Sequence, residues 1–313
     1  MVKWLAFRKE WGKKQGTKEA EITAVKISGA RGKITDRFKC GQEVKIIAEF
    51  VVHEEVKEPH FGVAIFREDG TYCHGPNTFF DGYRIEKLRK GEGWFSIEYE
   101  SLNLMPGEYR ISVAIWDKKE FLAYSYHPGF YKIRILGRNK NGQLFYMPCQ
   151  WKSQDKVSSK VPKEEEPDLR FLEDKWKKKF SSREVKITSV ELLSKKGNLS
   201  DSFETGQDME IRLKIKNKRD WLNEYLWVGI YREDNVYCYG TLKSLAKDEK
   251  IISLVYPKLQ LLPGEYRISV GIWKPNQKAP LVCHHGIYPF EVFFERKDHG
   301  TIYMDHSWGW ELP

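Results

Sequence analysis

The sequence predicts an all-β protein of two tandem antiparallel β-sandwich domains, jelly-roll or immunoglobulin-like, joined by a charged linker. Three observations predict it. Short runs with a period of two dominate, such as residues 44–50, 63–66, 109–116 and 131–135, and that alternation marks half-buried strands. Turn signals separate the runs: Asp69-Gly70, Pro106-Gly107, Asn141-Gly142 and Pro263-Gly264. The third observation is an internal repeat. Residues 104–116 return as residues 261–273 with eleven of thirteen positions identical, at an offset of 157. Repeats fix the architecture before any single element does.

The repeat extends through most of the chain. Residues 22–25 correspond to 187–190, and Phe38, Gly41 and Gln42 to Phe203, Gly206 and Gln207. Arg67-Glu68-Asp69-Gly70 and Tyr72-Cys73 return as Arg232-Glu233-Asp234-Asn235 and Tyr237-Cys238. The offset there is 165, so the second copy is eight residues shorter between these pairs and the Pro-Gly block. Trp11 aligns with Trp176, and Tyr146, Met147 and Trp151 with Tyr303, Met304 and Trp308. The expected domains are residues 1–152 and 183–313, each of ordinary size. Residues 153–182, which include Val161-Pro162-Lys163-Glu164-Glu165-Glu166-Pro167, are expected to be an extended linker. A short helix is expected around residues 168–179. Pro-Gly suits the centre of a type II turn, with Gly at positive φ.

Composition narrows the function. Lys and Arg number 53 and Asp and Glu 44, a net charge of +9. The charges are interleaved and no nucleic-acid motif accompanies them, so no nucleic-acid partner is expected. Residues 1–8 are too short and polar for a secretory leader, and no apolar run reaches membrane-spanning length. The five cysteines form no CxxC pair and are expected as free thiols in a reducing compartment. The eight histidines share no metal-ligand spacing,. Asp69 and Asp234 recur in tight turns, where Asp is expected for backbone reasons. Glu108 and Glu265 recur beside Pro-Gly, so a carboxylate pair for glycan hydrolysis is not supported. No phosphate-binding Gly-x-x-x-x-Gly-Lys-Ser/Thr loop occurs,. The chain is expected to be non-catalytic and to need no cofactor.

Alternation also assigns faces. Tyr109, Ile111, Val113 and Ile115 share one side, the expected core, with Val63 and Ile65. The opposite side carries Arg110, Ser112, Ala114 and Trp116 with Gly62, Ala64 and Phe66. In the second copy that side carries Arg267, Ser269, Gly271 and Trp273 with Trp227, Gly229 and Tyr231. A three-residue hairpin loop with a bulge at Glu68-Asp69-Gly70 would bring Tyr72 and His74 to Phe66, and Tyr237 and Tyr239 to Tyr231. Small residues beside large aromatics make an apolar wall on which a sugar ring can stack while polar groups bond its hydroxyls. The same face would also suit packing against another domain or a second copy. Both readings stand at this point.

The pattern from Phe61 through Arg67 to Asp69-Gly70, then Gly75-x-Asn77-Thr78, then Leu102-x-Leu104-x-Pro106-Gly107-x-Tyr109-x-Ile111-x-Val113, closing on Trp116, resembles the Wzt-type C-terminal domain. That family is the carbohydrate-binding module of polysaccharide (O-antigen) ABC transporters. The lead-in from Trp11 to Ile22 looks like the segment joining the ATPase to that module. The resemblance implies recognition of an exported polysaccharide, often at its non-reducing end, in the cytoplasm at the inner face of the membrane. It also implies ATPase and permease partners, and a homodimer or an intramolecular pseudo-dimer. The expected ligand residues in the first copy are Phe66, Tyr72, His74, Asn77, Thr78 and Trp116. Aromatics would stack, while His74, Asn77 and Thr78 would bond hydroxyls. Residues 79–83 are expected to close over the ligand. In the second copy the candidates are Trp227, Tyr231, Tyr237, Tyr239 and Trp273. That copy departs from the pattern at Asn235 and at the shortened Gly240-Thr241. The alternative expectation is a structural or dimerisation module without glycan binding.

Overall fold

The computed structural model describes residues 11–119, 122–139, 142–153, 167, 169–182, 184–218, 221, 223–247, 249–275, 277–295 and 298–313. The chain forms two compact units, Met1–Asn139 with Glu295–Pro313, and Lys140–Phe294.

Ten strands of the first unit come from its first segment. They are β1 (Ala20–Ser28), β2 (Arg37–Lys39), β3 (Gln42–Val52), β4 (Val56–Lys57), β5 (His60–Arg67), β6 (Tyr72–His74), β7 (Lys87–Leu88), β8 (Gly91–Leu102), β9 (Gly107–Trp116) and β10 (Ala123–Leu136). The second unit holds β11 (Gln150–Ser153), β12 (Lys178–Ser181), β13 (Val185–Ser194), β14 (Ser202–Glu204), β15 (Met209–Asn217), β16 (Tyr225–Arg232), β17 (Tyr237–Ser244), β18 (Ile251–Tyr256), β19 (Gly264–Trp273) and β20 (Val282–Phe293). The last strand, β21 (Ser307–Glu311), returns to the first unit.

The first unit stacks a sheet of order β1-β3-β8-β21 on one of order β2-β10-β9-β5-β6. The second unit has β11-β18-β15-β13 and β12-β20-β19-β16-β17, with β14 beside β20. Both are all-β sandwiches, as the alternation predicts. Two short pairs, β2 with β10 and β14 with β20, are parallel within the otherwise antiparallel arrangement.

The closing strands depart from the boundaries that the repeat suggests. Trp151 ends the first repeat in sequence, yet β11 pairs with β18 in the second unit. β21 ends the second repeat and pairs with β8, from Ser307 opposite Glu98 to Glu311 opposite Trp94. Each four-stranded sheet is therefore completed by the tail of the other repeat. Strand alternation cannot reveal this, because the tails are equivalent in sequence and would satisfy the same edge in either unit.

The core follows the face assignment. Val63, Ile65, Tyr109, Ile111, Val113 and Ile115 are all buried. On the same face, Phe61 stacks on Phe95 of the opposite sheet at 4.2 Å and 4°. Each such side chain contributes about 1.5–3 kcal/mol by leaving water. The Pro-Gly prediction needs correction. Neither Gly107 nor Gly264 has positive φ, so neither completes a type II turn. Each instead starts a strand, and the tyrosine two residues on reaches back to the chain. Tyr109 Oη donates to Met105 O at 2.7 Å, and Tyr266 Oη to Leu262 O at 2.7 Å, tying strand to preceding corner.

The linker prediction changes too. Residues 154–166 and 168 lie outside the described residues. Beyond them the chain is neither plain linker nor helix to residue 179. Leu169–Leu172 forms one 3-10 turn, and β12 pairs with β20. Leu169, Phe171, Leu172, Trp176 and Phe180 all pack on the second unit, and this apolar burial outweighs the local polar character of the segment.

Candidate functional site

The outer face of β5 and β9 in the first unit opens into a pocket of about 160 Å³. Gly62, Ala64 and Ala114 form its floor, and Phe66, Tyr72, Trp116 and Tyr126 its walls. Antiparallel register sets Gly62 opposite Ala114 and Ala64 opposite Ser112, so small residues meet on one patch. A Cβ on Gly62 would come no nearer than 3.7 Å to Asn77 and 3.8 Å to Trp116. The space above this glycine is open.

The aromatic walls are held from behind. Phe66 and Tyr72 stack at 4.5 Å and 12°. Tyr72 in turn lies over Gly75, where a Cβ would meet its hydroxyl at 1.8 Å. Trp116 leans on Tyr126 at 5.1 Å. Beyond Phe66, the Trp11 ring sits 6.1 Å away with the Arg110 guanidinium over its face at 4.8 Å. Arg110 also donates to Glu68 at 2.8 Å and to Gly129 O at 3.1 Å, so this cation is neutralised outside the pocket.

Polar groups at the lining are few and oriented. Asn77 Oδ1 accepts the Phe80 N–H at 2.8 Å. Ser112 Oγ accepts the Gly129 N–H at 2.8 Å. Burial pushes the Tyr126 phenol up to about 12 against the opposing effect of its Ser112 hydrogen bond, so it stays a neutral hydroxyl. Among the described residues, no carboxylate, lysine or arginine lines the pocket. The recurrent carboxylates act elsewhere: Asp69 pairs with Arg67 and caps Thr71, Asp234 pairs with Arg232, and Glu108 pairs with Arg134.

Four of the six candidates in the first repeat, Phe66, Tyr72, Asn77 and Trp116, line this pocket. His74 and Thr78 do not. The Glu68-Asp69-Gly70 loop forms as expected, with Arg67 and Thr71 paired and Gly70 at φ +92°. A second irregularity then puts Tyr72 opposite Phe66 but His74 opposite Ile65. Cys73 is the extra residue, and it reverses the parity of everything after it. His74 consequently points into the sandwich, fully buried, with Nδ1 3.4 Å from Tyr99 Oη. The Thr78 hydroxyl is buried and accepts the Phe61 N–H at 3.0 Å, a structural role.

The loop expected to close over a ligand is also committed elsewhere. Asp81 accepts from His306 at 2.9 Å and Trp308 at 2.7 Å, and Tyr83 meets Trp310 edge-on at 5.1 Å. The loop holds the tail that carries β21. That tail adds a pocket residue the sequence could not indicate, His299, against Phe80 at 5.0 Å and Tyr72 at 6.4 Å. Thr301 fixes the approach, its N–H bonding Cys73 O at 2.8 Å and its hydroxyl bonding Tyr72 O at 2.9 Å.

In the second unit the part of the face equivalent to the pocket floor is filled, and a separate pocket of about 240 Å³ lies beside it, lined by Leu169, Leu172, Tyr231, Tyr237 and His285 among others. Trp227 stands where the first repeat has Gly62, and Gly229 and Gly271 stand for Ala64 and Ala114. A Cβ at Gly229 would fall 2.4 Å from the Trp227 ring, and one at Gly271 2.3 Å from Trp273. The two indoles lie directly on glycine backbone and meet edge-on at 5.7 Å. Trp227 Nε1 donates to Tyr237 Oη at 3.1 Å. Leu172 packs into the same cluster with Trp227, Tyr231 and Trp273. Tyr237 stacks on Tyr231 at 4.7 Å, as Tyr72 does on Phe66. Tyr239 leaves this face for the same reason as His74, since the repeated bulge pairs it with Ile230. It lies near Cys149 and Phe145 instead. The eight missing residues let β17 run straight on beside β16 to Ser244, where the first repeat has its Asn77 loop.

A tandem β-sandwich with an open aromatic pocket on the outer face of its first unit is the class that this fold and site define. The chain belongs to the family of the Wzt C-terminal domain, which matches it twice, over residues 12–146 and 177–304. Among solved structures it is similar to the C-terminal domain of Wzt, at 18% identity over 44% of this chain and 93% of that one, with a TM-score of 0.36. It is also similar to a CARDB domain from Pyrococcus furiosus solved with di-metal ions, at 18% identity over 37% of this chain and 100% of that one, with a TM-score of 0.23. Latent PorU from Porphyromonas gingivalis matches at 11% identity over 87% of this chain and 20% of its own length, with a TM-score of 0.24. No curated protein matches.

Proposed function

We propose that the first unit binds one uncharged sugar unit of a cell-surface polysaccharide, in a non-catalytic step of its export by an ABC transporter. The observation that carries this reading is the neutral, aromatic-walled pocket over Gly62, Ala64 and Ala114. Membership of the Wzt C-terminal domain family supports the transporter context. In this reading Trp116, Phe66 and Tyr72 supply stacking surfaces, Asn77 and His299 supply polar contacts, and the partners are the ATPase and permease subunits at the inner face of the membrane. Affinity at one site is modest, because sugar hydroxyls exchange water for protein with a small net gain each.

The second repeat supports a different role. The part of its face equivalent to the pocket floor is closed by its own side chains, Trp227, Trp273 and Leu172, which favours a structural part for the second unit. One sugar site per chain is the resulting stoichiometry.

Titration with the polysaccharide of the source cell and with unrelated glycans, followed by tryptophan fluorescence and calorimetry, tests both points. Saturable, glycan-specific binding at one site per chain, lost in Trp116→Ala, is expected. No binding to any glycan by a folded protein overturns the reading.

A further inference from the structure

A hydrogen-bond donor stands over the pocket floor of the first unit without an acceptor. Trp116 is half-buried, and its indole edge leans over Gly62. The point where a Cβ would sit on Gly62 lies 3.8 Å from Trp116 Nε1 and 3.7 Å from the Asn77 Cβ. Among the described residues this indole N–H has no hydrogen-bond partner. Trp94, Trp221, Trp227 and Trp308 each donate from Nε1 to an oxygen. Trp273, the equivalent of Trp116, has its Nε1 buried without a partner where Trp227 fills the face. In the first unit the same N–H borders open space.

An indole N–H can only donate, so the group beside it must accept. The rest of the floor sets a second demand. Gly62, Ala64 and Ala114 present carbon, and the backbones of β5 and β9 pair with each other. Ser112 Oγ takes the Gly129 N–H at 2.8 Å and hydrogen-bonds Tyr126, so it serves the protein. A ligand hydroxyl on this floor would satisfy the indole but leave its own proton without an acceptor. A plain methyl group would leave the indole N–H unpaired. Either arrangement carries the desolvation cost of an unpaired polar group. A carbonyl that bears a methyl group meets both demands: the oxygen accepts from Nε1, and the methyl lies on the small residues. A space of about 160 Å³ is of the order that holds a benzene ring. It takes a flat acetamido group and keeps the attached pyranose ring at the rim, against the aromatic walls.

We infer that this pocket selects an N-acetylated amino sugar, with the acetyl carbonyl on Trp116 Nε1 and the acetyl methyl over Gly62, Ala64 and Ala114. The inference rests on the glycan reading above and narrows it to one class of sugar.

The test uses the full chain labelled with nitrogen-15. Methyl glycosides of N-acetylglucosamine and N-acetylgalactosamine are titrated beside those of glucose and the 6-deoxy sugar fucose. The Trp116 indole resonance, assigned by its loss in Trp116→Phe, reports the hydrogen bond, and saturation transfer reports which ligand protons touch the protein. About tenfold tighter binding of an acetamido glycoside than of the glucoside is expected, from one added hydrogen bond and one buried methyl. The indole resonance should shift, and the acetyl methyl should receive the strongest transfer. Trp116→Phe keeps an aromatic wall but removes the donor, and should cut the preference about fivefold. Gly62→Ala places a methyl where the acetyl group would sit, at ordinary contact distances, and should abolish the preference in a folded protein. Equal binding of all four glycosides, a preference for the fucoside, or no response to either acetamido glycoside overturns the inference. Source-cell polysaccharide that binds in a Trp116-dependent manner, without any acetamido preference, would sink this inference alone. No binding of any glycan would sink the glycan reading with it.

Discussion

Gly62→Trp asks whether one side chain separates an open face from a closed one. The structure supplies the control, because Trp227 occupies the equivalent position in the second unit with 1% exposure. The first Cβ atom at residue 62 meets only ordinary van der Waals distances, 3.7 Å to Asn77 and 3.8 Å to Trp116, so the sandwich should fold. The indole would then fill the pocket of about 160 Å³. A sugar must expel it, giving up about 1.5–3 kcal/mol of apolar burial. That is about a 10- to 150-fold loss of affinity at 1.4 kcal/mol per tenfold. Calorimetry with the source-cell polysaccharide measures the loss, and circular dichroism checks that the fold is kept. A folded Gly62→Trp protein that binds glycan like the native chain would refute the pocket as the site.

Other predictions follow from the packing and the charges. Trp227→Ala should destabilise the second unit by about 3–5 kcal/mol, as large-to-small changes in filled cores do, and leave glycan affinity unchanged; chemical denaturation and calorimetry read the two effects. Asp81→Ala removes the acceptor of both His306 and Trp308. It should cost about 1.5–3 kcal/mol, the range for bonds to charged groups, and raise hydrogen exchange in β21 before β3.

Acidification should destabilise the fold. Burial holds His74 well below the ordinary imidazole value of 6.5, with His306 adding to it. Burial likewise lowers His127, His284 and His285 to about 4, helped by Lys14 at His127 and Lys179 at His284. The unfolded chain binds more protons at these sites below pH 6.5, so their stabilisation is full above that pH and is lost as the pH falls through the folded values. His306 runs the other way. Burial lowers it, but the hydrogen bond and charge of Asp81 prevail and raise it, so its contribution is full below pH 6.5 and is lost as the pH rises through the folded value. Four groups oppose one, and thermal midpoints should drop between pH 7 and pH 4.5. Midpoints that rise over that interval would contradict this assignment.

Period-two alternation and a near-identical repeat were enough to determine the sandwich architecture, the core face of β9, and the pairing of small and aromatic residues opposite it. Those features are local: each residue's face follows from its neighbours two positions away. The sequence also carried the Gly62/Trp227 and Ala114/Gly271 exchanges, although not their consequence. Only tertiary packing decided that Trp227 closes its face, because closure depends on indole rings settling on Gly229 and Gly271 across neighbouring strands. The inward turn of His74 and Tyr239 depended on a one-residue bulge, which no alternation pattern announces. The placement of β11, β21 and His299 depended on which sheet edge each tail completes. That choice is set by long-range pairing between edges that the two repeats make alike, so residues adjacent in the fold are far apart in the chain.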